Sequence, residues 1–473
     1  MYTFSNKLKT FAFILMALGF IGIAIGFVKA PKTTEEVEAI LAAEHHGGHE
    51  VVAHDVKVAS HEQIAQEVAV DSTVVSDTTK VVAPVVKHES HDDHDAHAEH
   101  TEHVKHVLHS LQNKPWAALY VACIFVMLIS AGVLAFYAIQ QAAQAGWSPV
   151  LFRVMEGITA YLLPGSIIFF IILVLSGMHF NHLFVWMTEG ILDPTSPTYD
   201  PVVAGKSAYL NVPFWLIRAF IMLAGWNAYR HFSRKNSLAQ DEASDNVIYK
   251  KNFKLAAVFL VFFIVTESIS SWDWIMSFDP HWYSTLYGWY VLASFLVSGV
   301  SVIAIITIYL RANGFLPEVS TSHLHDLAKF MFGFSIFWTY LWFSQFMLMW
   351  YSNIPEEVVY FITRIENYNL PFFGMLILNF ALPLLILINT DFKRLTWLIV
   401  MVGIIILCGH YLDFFNMIMP ATVGDQWFIG VSEISSLLFF IGLFIYVVFT
   451  ALTKAPLLAK RNPFIEESKH FHY

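Results

Sequence analysis

The chain has 473 residues, of which 56% are hydrophobic, 16% aromatic and only 14% charged, against roughly 25% charged in soluble domains. Lipid penalises charge and tolerates apolar surface, so this balance excludes an ordinary soluble enzyme and points to several membrane spans. Most of the net charge of −10 comes from one acidic loop, and no basic face suggests a nucleic-acid partner.

A helix crossing ~30 Å of hydrocarbon needs roughly 20 mostly apolar residues. Spans are therefore predicted near 10–29, 115–139, 158–180, 209–231, 253–276, 284–311, 326–351, 368–390, 395–418 and 428–453. Backbone groups in lipid need partners within their own segment, so these are helices. The expected fold is an all-α membrane protein of about ten transmembrane helices. Its parts are a first helix (1–30), a His-rich, largely disordered periplasmic loop (31–113), a membrane core (114–455) and a cytoplasmic tail (456–473). The first run has Lys7 and Lys9, a long apolar stretch and then Pro31, which reads as an uncleaved anchor rather than a signal peptide. Cys123 and Cys408 fall in apolar runs and outside any CxxC pattern, so both read as core residues.

The loop at 31–113 is acidic and rich in Val, Ala and His, and holds 13 of the 22 histidines. From His88 they recur at every third position through His91, His94, His97, His100, His103, His106 and His109. Imidazole is a common metal ligand, which makes His88, His91, His94, His97 and His100 weak metal candidates. A period of three drifts round a helix, however, so no single face gathers the rings. Residues 101–113 are expected to turn helical on entering the second span.

Ionisable side chains inside spans are costly and ask for a reason. Arg218 is placed near the middle of the fourth span and Glu267 near the middle of the fifth, with Asp273 further out. His410 and Asp413 fall in the outer half of the ninth span and Glu433 in that of the tenth. The inner halves look nearly empty, apart from His323, His325, Asp326 and Lys329. Glu267, Ser270, Ser271 and Trp274 share one helical face, and His410 and Asp413 are close enough to touch. Arg218, Glu267, Asp273, His410, Asp413 and Glu433 are thus proton-route candidates, with an Arg218–Glu267 bridge as the structural alternative. The turn Ser277-Phe278-Asp279-Pro280-His281-Trp282-Tyr283-Ser284 lies beside this outer cluster. With His179 and Asp273, its Asp279 and His281 could offer a quinone headgroup its donors and acceptors. No span carries the paired histidines of a b-type haem bundle.

With the N-terminus inside, 17 of the 27 Lys and Arg lie on the cytoplasmic side, nine lie outside and Arg218 lies within a span. The positive-inside rule therefore predicts that both termini of this inner-membrane protein are cytoplasmic.

The stretch from Ser271 to Tyr290, SWDWIMSFDPHWYSTLYGWY, resembles the quinone-binding-type membrane subunits of bacterial alternative complex III. So do His325-Asp326-Leu327-Ala328-Lys329-Phe330 and Tyr340-Leu341-Trp342-Phe343-Ser344-Gln345-Phe346. These subunits belong to the NrfD/polysulfide-reductase membrane-anchor family, and the resemblance covers about 115–455. It implies two four-helix bundles, spans two to five and six to nine, flanked by the first and last helices. It also implies partners: a multihaem cytochrome, an iron–sulfur subunit, a sister membrane subunit and a terminal oxidase. Quinol (menaquinol or ubiquinol) would be the electron source, haem c and iron–sulfur clusters would sit on partners, and proton pathways would run through the bundles. Two other functions compete: a proton- or metal-coupled transporter, prompted by the histidines, and a purely structural anchor. A transporter would show broken mid-membrane helices in matching halves.

Overall fold

A computed structural model describes residues 2–47 and 92–472, and the secondary structure within them is helical, with no strands. The helices are α1 (Asn6–Lys29), α2 (Thr34–Gly47), α3 (Asp92–Ala142), α4 (Phe152–Ile158), α5 (Leu162–Gly177), α6 (Pro201–Gly205), α7 (Val212–Gln240), α8 (Val247–Trp274) and α9 (Tyr287–Ala312). They continue with α10 (Thr321–Ser352), α11 (Pro355–Glu366), α12 (Asn369–Leu376), α13 (Leu382–Leu387), α14 (Thr396–Val423), α15 (Val431–Leu452) and α16 (Ile465–Lys469). Eight segments are long and apolar enough to cross a membrane. Together with α7 and α10, of 29 and 32 residues, they make the expected ten, and the chain is an all-α multi-pass membrane protein. The outward faces agree, since Phe20, Val258, Val261 and Leu385 are all more than 60% exposed. Apolar surface that continuous belongs against lipid.

Helices α3 and α9 form the centre, with 94% of each apolar window buried. They cross where a side chain at Gly132 would strike the Phe295 carbonyl and one at Gly299 would meet Val133, so the missing Cβ atoms let the backbones approach. On one side, α3 packs with α5 and α8, and α7 closes the group by packing on those two. On the other, α9 packs with α10 and α14, and the α12–α13 pair closes the group by packing on those two. These are the two bundles. Helices α1 and α15 run antiparallel beside α3, with Gly19, Gly22 and Gly26 of α1 set against Phe439, Ser435 and Ser432. The ends of α1 and α15 nearest the chain termini therefore share one face of the molecule, here the termini face; the opposite one is the far face.

Three features depart from the sequence reading. First, the 31–113 loop is not wholly irregular. Val37 of α2 is buried with Val104 and Val107 of α3, and Leu41, Leu108 and Leu111 pack around them. Val104, Val107, Leu108 and Leu111 follow helical spacing, a signal hidden among the histidines. His88 and His91 lie outside the described residues, and His94, His97 and His100 fall in the opening turns of α3. Second, the eighth span is interrupted. Residues Ile377–Ala381 form a π turn between α12 and α13. Pro383 offers no N–H to the Asn379 carbonyl four residues back, so the ladder widens there. Third, Cys123 is buried but Cys408 is exposed on the membrane flank.

Candidate functional site

The buried ionisable groups gather into separate centres rather than one outer cluster. In the first bundle, Arg218 of α7 grips Asp273 of α8 through two bonds, Nε to Oδ2 at 2.6 Å and Nη2 to Oδ1 at 3.0 Å. The guanidinium also donates to the Tyr209 carbonyl and lies 3.9 Å over the Tyr209 ring. The Asp273 carbonyl accepts from Trp215 Nε1 at 2.8 Å and Ser277 Oγ at 2.7 Å. Arg218 is only six residues past the start of α7, so it lies toward the far face and not mid-membrane.

Glu267 is not its partner, which corrects the expected Arg218–Glu267 bridge. Helical side chains lean toward their own N-terminus. Helix α7 begins at the far face, so Arg218 reaches outward to Asp273, in the last turn of α8. Helix α8 begins at the termini face, so Glu267 leans the other way. Glu267 is buried, as are Ser270, Ser271 and Trp274 on its face. Its carboxylate accepts from Ser271 Oγ at 3.2 Å and Ser268 Oγ at 3.3 Å.

The second bundle holds the richer centre. Asp413 of α14 is fully buried and accepts from Ser294 Oγ at 3.0 Å, from Trp338 Nε1 at 2.8 Å and from the Tyr290 hydroxyl. His410 Nδ1 lies 2.8 Å from Ser294 Oγ and 3.4 Å from Asp413 Oδ2. With the Ser294 proton given to Asp413, its oxygen is left to accept from Nδ1–H, which leaves Nε2 as the basic nitrogen. His410 Nε2 is buried without a protein partner among the described residues, and so are both amide atoms of Asn379 on the π turn. A side chain at Gly409 would collide with Asn379, so the two helices meet at this point.

Tyr290 joins this centre to an aromatic pocket toward the far face. Trp282, Tyr287, Tyr360, Arg364 and Gln345 line the pocket, and Trp282 stacks on Tyr360 at 3.9 Å. The space there open to the centre of a water molecule is ≈ 20 Å³, room for about one water and not for a quinone ring.

The other sequence candidates take smaller parts. His179 is exposed and ends α5 in the left-handed conformation, φ 61°. Its neighbour Phe180 donates back to the Leu175 carbonyl at 3.0 Å, the closing bond of a Schellman turn. His281 pairs with Asp200 at 2.6 Å on the far-face surface, and Asp279 accepts from the His281 backbone N–H. Burial tends to raise the Asp200 pKa, but the Val203 and Val202 N–H groups and the His281 ring outweigh it and hold it below its ordinary 3.8. Glu433 caps α15 by accepting from the Gly430 N–H at 2.9 Å.

The termini end is not empty, contrary to expectation. Arg153 Nη1 and Arg234 Nη1 donate to Glu156 Oε2 at 2.8 and 2.7 Å, and Tyr137 donates to Glu156 Oε1 at 2.9 Å. Arg153 also pairs with Asp241 at 2.5 Å. Two cations and two carboxylates close on themselves, which suits a structural clasp. The Arg153/Glu156 spacing of three was the available signal. Sequence reasoning also missed Tyr290, Ser294 and Trp338, although Tyr290, Ser294, Ser298 and Ser301 form a polar stripe in an otherwise apolar run.

Among the described residues no three His, Cys, Asp or Glu side chains come together as a metal site requires. Compared with models of known protein families and with curated proteins, the chain matches none.

Proposed function

We propose that the chain is a membrane subunit of a respiratory quinol-oxidising complex and that its part is to move protons. Electrons would leave menaquinol or ubiquinol through iron–sulfur and c-type haem partners, with a sister membrane subunit alongside. The observation that carries this reading is the Tyr290–Asp413–Ser294–His410 chain. A carboxylate with three donors, relayed through a hydroxyl to an imidazole whose second nitrogen is buried and has no partner among the described residues, is suited to proton exchange. The long motif across Ser271–Tyr290 supports the respiratory setting, because it closes α8, crosses the far-face turn and supplies Tyr290. The Arg218–Asp273 pair is a second, more static centre.

A transporter is favoured less. The third span is interrupted by the 3-10 turn Thr159–Tyr161 and the eighth by the π turn. One break is in the second helix of its bundle and the other in the third, so they are not matching halves.

Purification in mild detergent tests the proposal. The expected outcome is co-purifying c-type haem, and an Asp413→Asn complex with unchanged haem content but quinol-driven turnover lower by about 10²-fold or more, the usual weight of a proton-transfer group. A chain that purifies without haem partners, or normal turnover in Asp413→Asn, overturns it.

A further inference from the structure

On the membrane flank, α15 packs on α3 but stands away from α9 and α14, leaving a cleft of ≈ 680 Å³, lined among others by Ile129, Ile305, Leu407, Ile441, Phe449 and Glu433. From Glu433 to Phe449 along α15 is roughly 24 Å at 1.5 Å per residue. That is most of the ~30 Å hydrocarbon thickness and more than one leaflet. Glu433 is the one charged residue among those lining the cleft. It is 1% exposed, and its Oε1 is buried without a protein partner among the described residues. Its other oxygen is taken by the Gly430 N–H. The Tyr411 hydroxyl lies close by, 3.4 Å from the Glu433 carbonyl.

We propose that this cleft binds an isoprenoid quinol, its long chain lying between α15 and the α9–α14 face and one ring hydroxyl donating to Glu433 Oε1. Length argues for the chain, since a groove that passes the mid-plane suits one polyprenyl tail better than an acyl chain confined to its leaflet. The polar end argues for the head, because an acceptor waiting without a donor calls for a hydroxyl. A phospholipid fits less well. Its phosphate would face a carboxylate, and the nearby cation, Lys114, is turned onto the Phe428 ring at 2.9 Å and the Gln426 carbonyl. The site differs from the Asp413 centre and from the far-face turn, and it concerns binding alone.

The test is photolabelling of the intact chain, in its native complex, with a long-chain isoprenoid quinone carrying an azide on the ring. Label is expected on peptides containing Tyr411 and Glu433, displaced by unlabelled long-chain quinol but poorly by a tail-less analogue. Leu407→Trp or Ile441→Trp, which fill the cleft, should each reduce labelling about tenfold. Labelling elsewhere, equal displacement by the tail-less analogue, displacement by phosphatidylethanolamine, or full labelling in both filled variants overturns the proposal. If the variants fail to assemble, displacement from the wild-type chain still decides. Turnover is not read, so failure of the proton-route reading would leave the result intact.

Discussion

Arg218 and Asp273 illustrate how direction along a helix chooses a partner at the scale of single residues. Asp273 is fully buried and Arg218 only 10% exposed, so removing one partner strands a charge. Arg218→Met should cost about 3–5 kcal/mol, while Arg218→Met with Asp273→Leu should recover most of it, because a buried pair replaced whole by apolar groups is close to neutral. Thermal unfolding of the purified chain in detergent measures both, and Glu267→Gln should leave the transition almost unmoved. Asp200 supplies a pH dependence. Its folded pKa lies below the ordinary 3.8, so its stabilisation is complete above that value and is lost as pH falls through the lower folded value. As pH falls through that lower folded value, the cap it makes on α6, through the Val202 and Val203 N–H groups, should open. Hydrogen exchange of those amides is expected to accelerate there, and Asp200→Asn should remove most of the effect.

Proline shapes two elements, and each break is compensated, once by a side chain and once by the backbone. Pro420 lies inside α14 and cannot donate to the Asn416 carbonyl one turn back. Arg364 of α11 fills that vacancy, with Nε donating to the Asn416 carbonyl at 3.0 Å, Nη2 to Met417 and the guanidinium 3.4 Å over the Tyr360 ring. The amphipathic helix α11, which the hydropathy reading did not separate from its neighbours, is thereby pinned under the aromatic pocket. Arg364→Leu should destabilise the chain by about 1–3 kcal/mol through the orphaned carbonyl. In a Pro420→Ala background the same change should cost about 1 kcal/mol less, since the restored N–H returns the helix bond. A double-mutant cycle on unfolding free energies checks this, and strictly additive costs would refute the link. At Pro383 the compensation is geometric, the π turn that presents Asn379 to Gly409 beside His410.

For the molecule as a whole, we propose from the distribution of the basic residues that the termini face is the cytoplasmic one. A reporter fused at Asp241 should read cytoplasmic and one at Thr78 periplasmic; the reverse pair would invert every face assigned here. The span positions were legible from the chain alone, because hydrocarbon thickness and the need to satisfy the backbone leave few alternatives for ~20-residue apolar runs. The polar stripe on α8 and the His410–Asp413 contact were legible for the same kind of reason, being set by helical periodicity within one element. Which carboxylate Arg218 meets was not, since it depends on where antiparallel neighbours start and which way their side chains lean. Nor was the separation of the candidates into an Arg218–Asp273 pair and an Asp413 centre, the closure of the Arg153–Glu156–Arg234–Asp241 clasp, or the cleft behind α15. Periodicity acts along one helix, whereas these features arise where side chains from different helices converge, and only the packing of α3 against α9 and of α15 against α3 settles those distances.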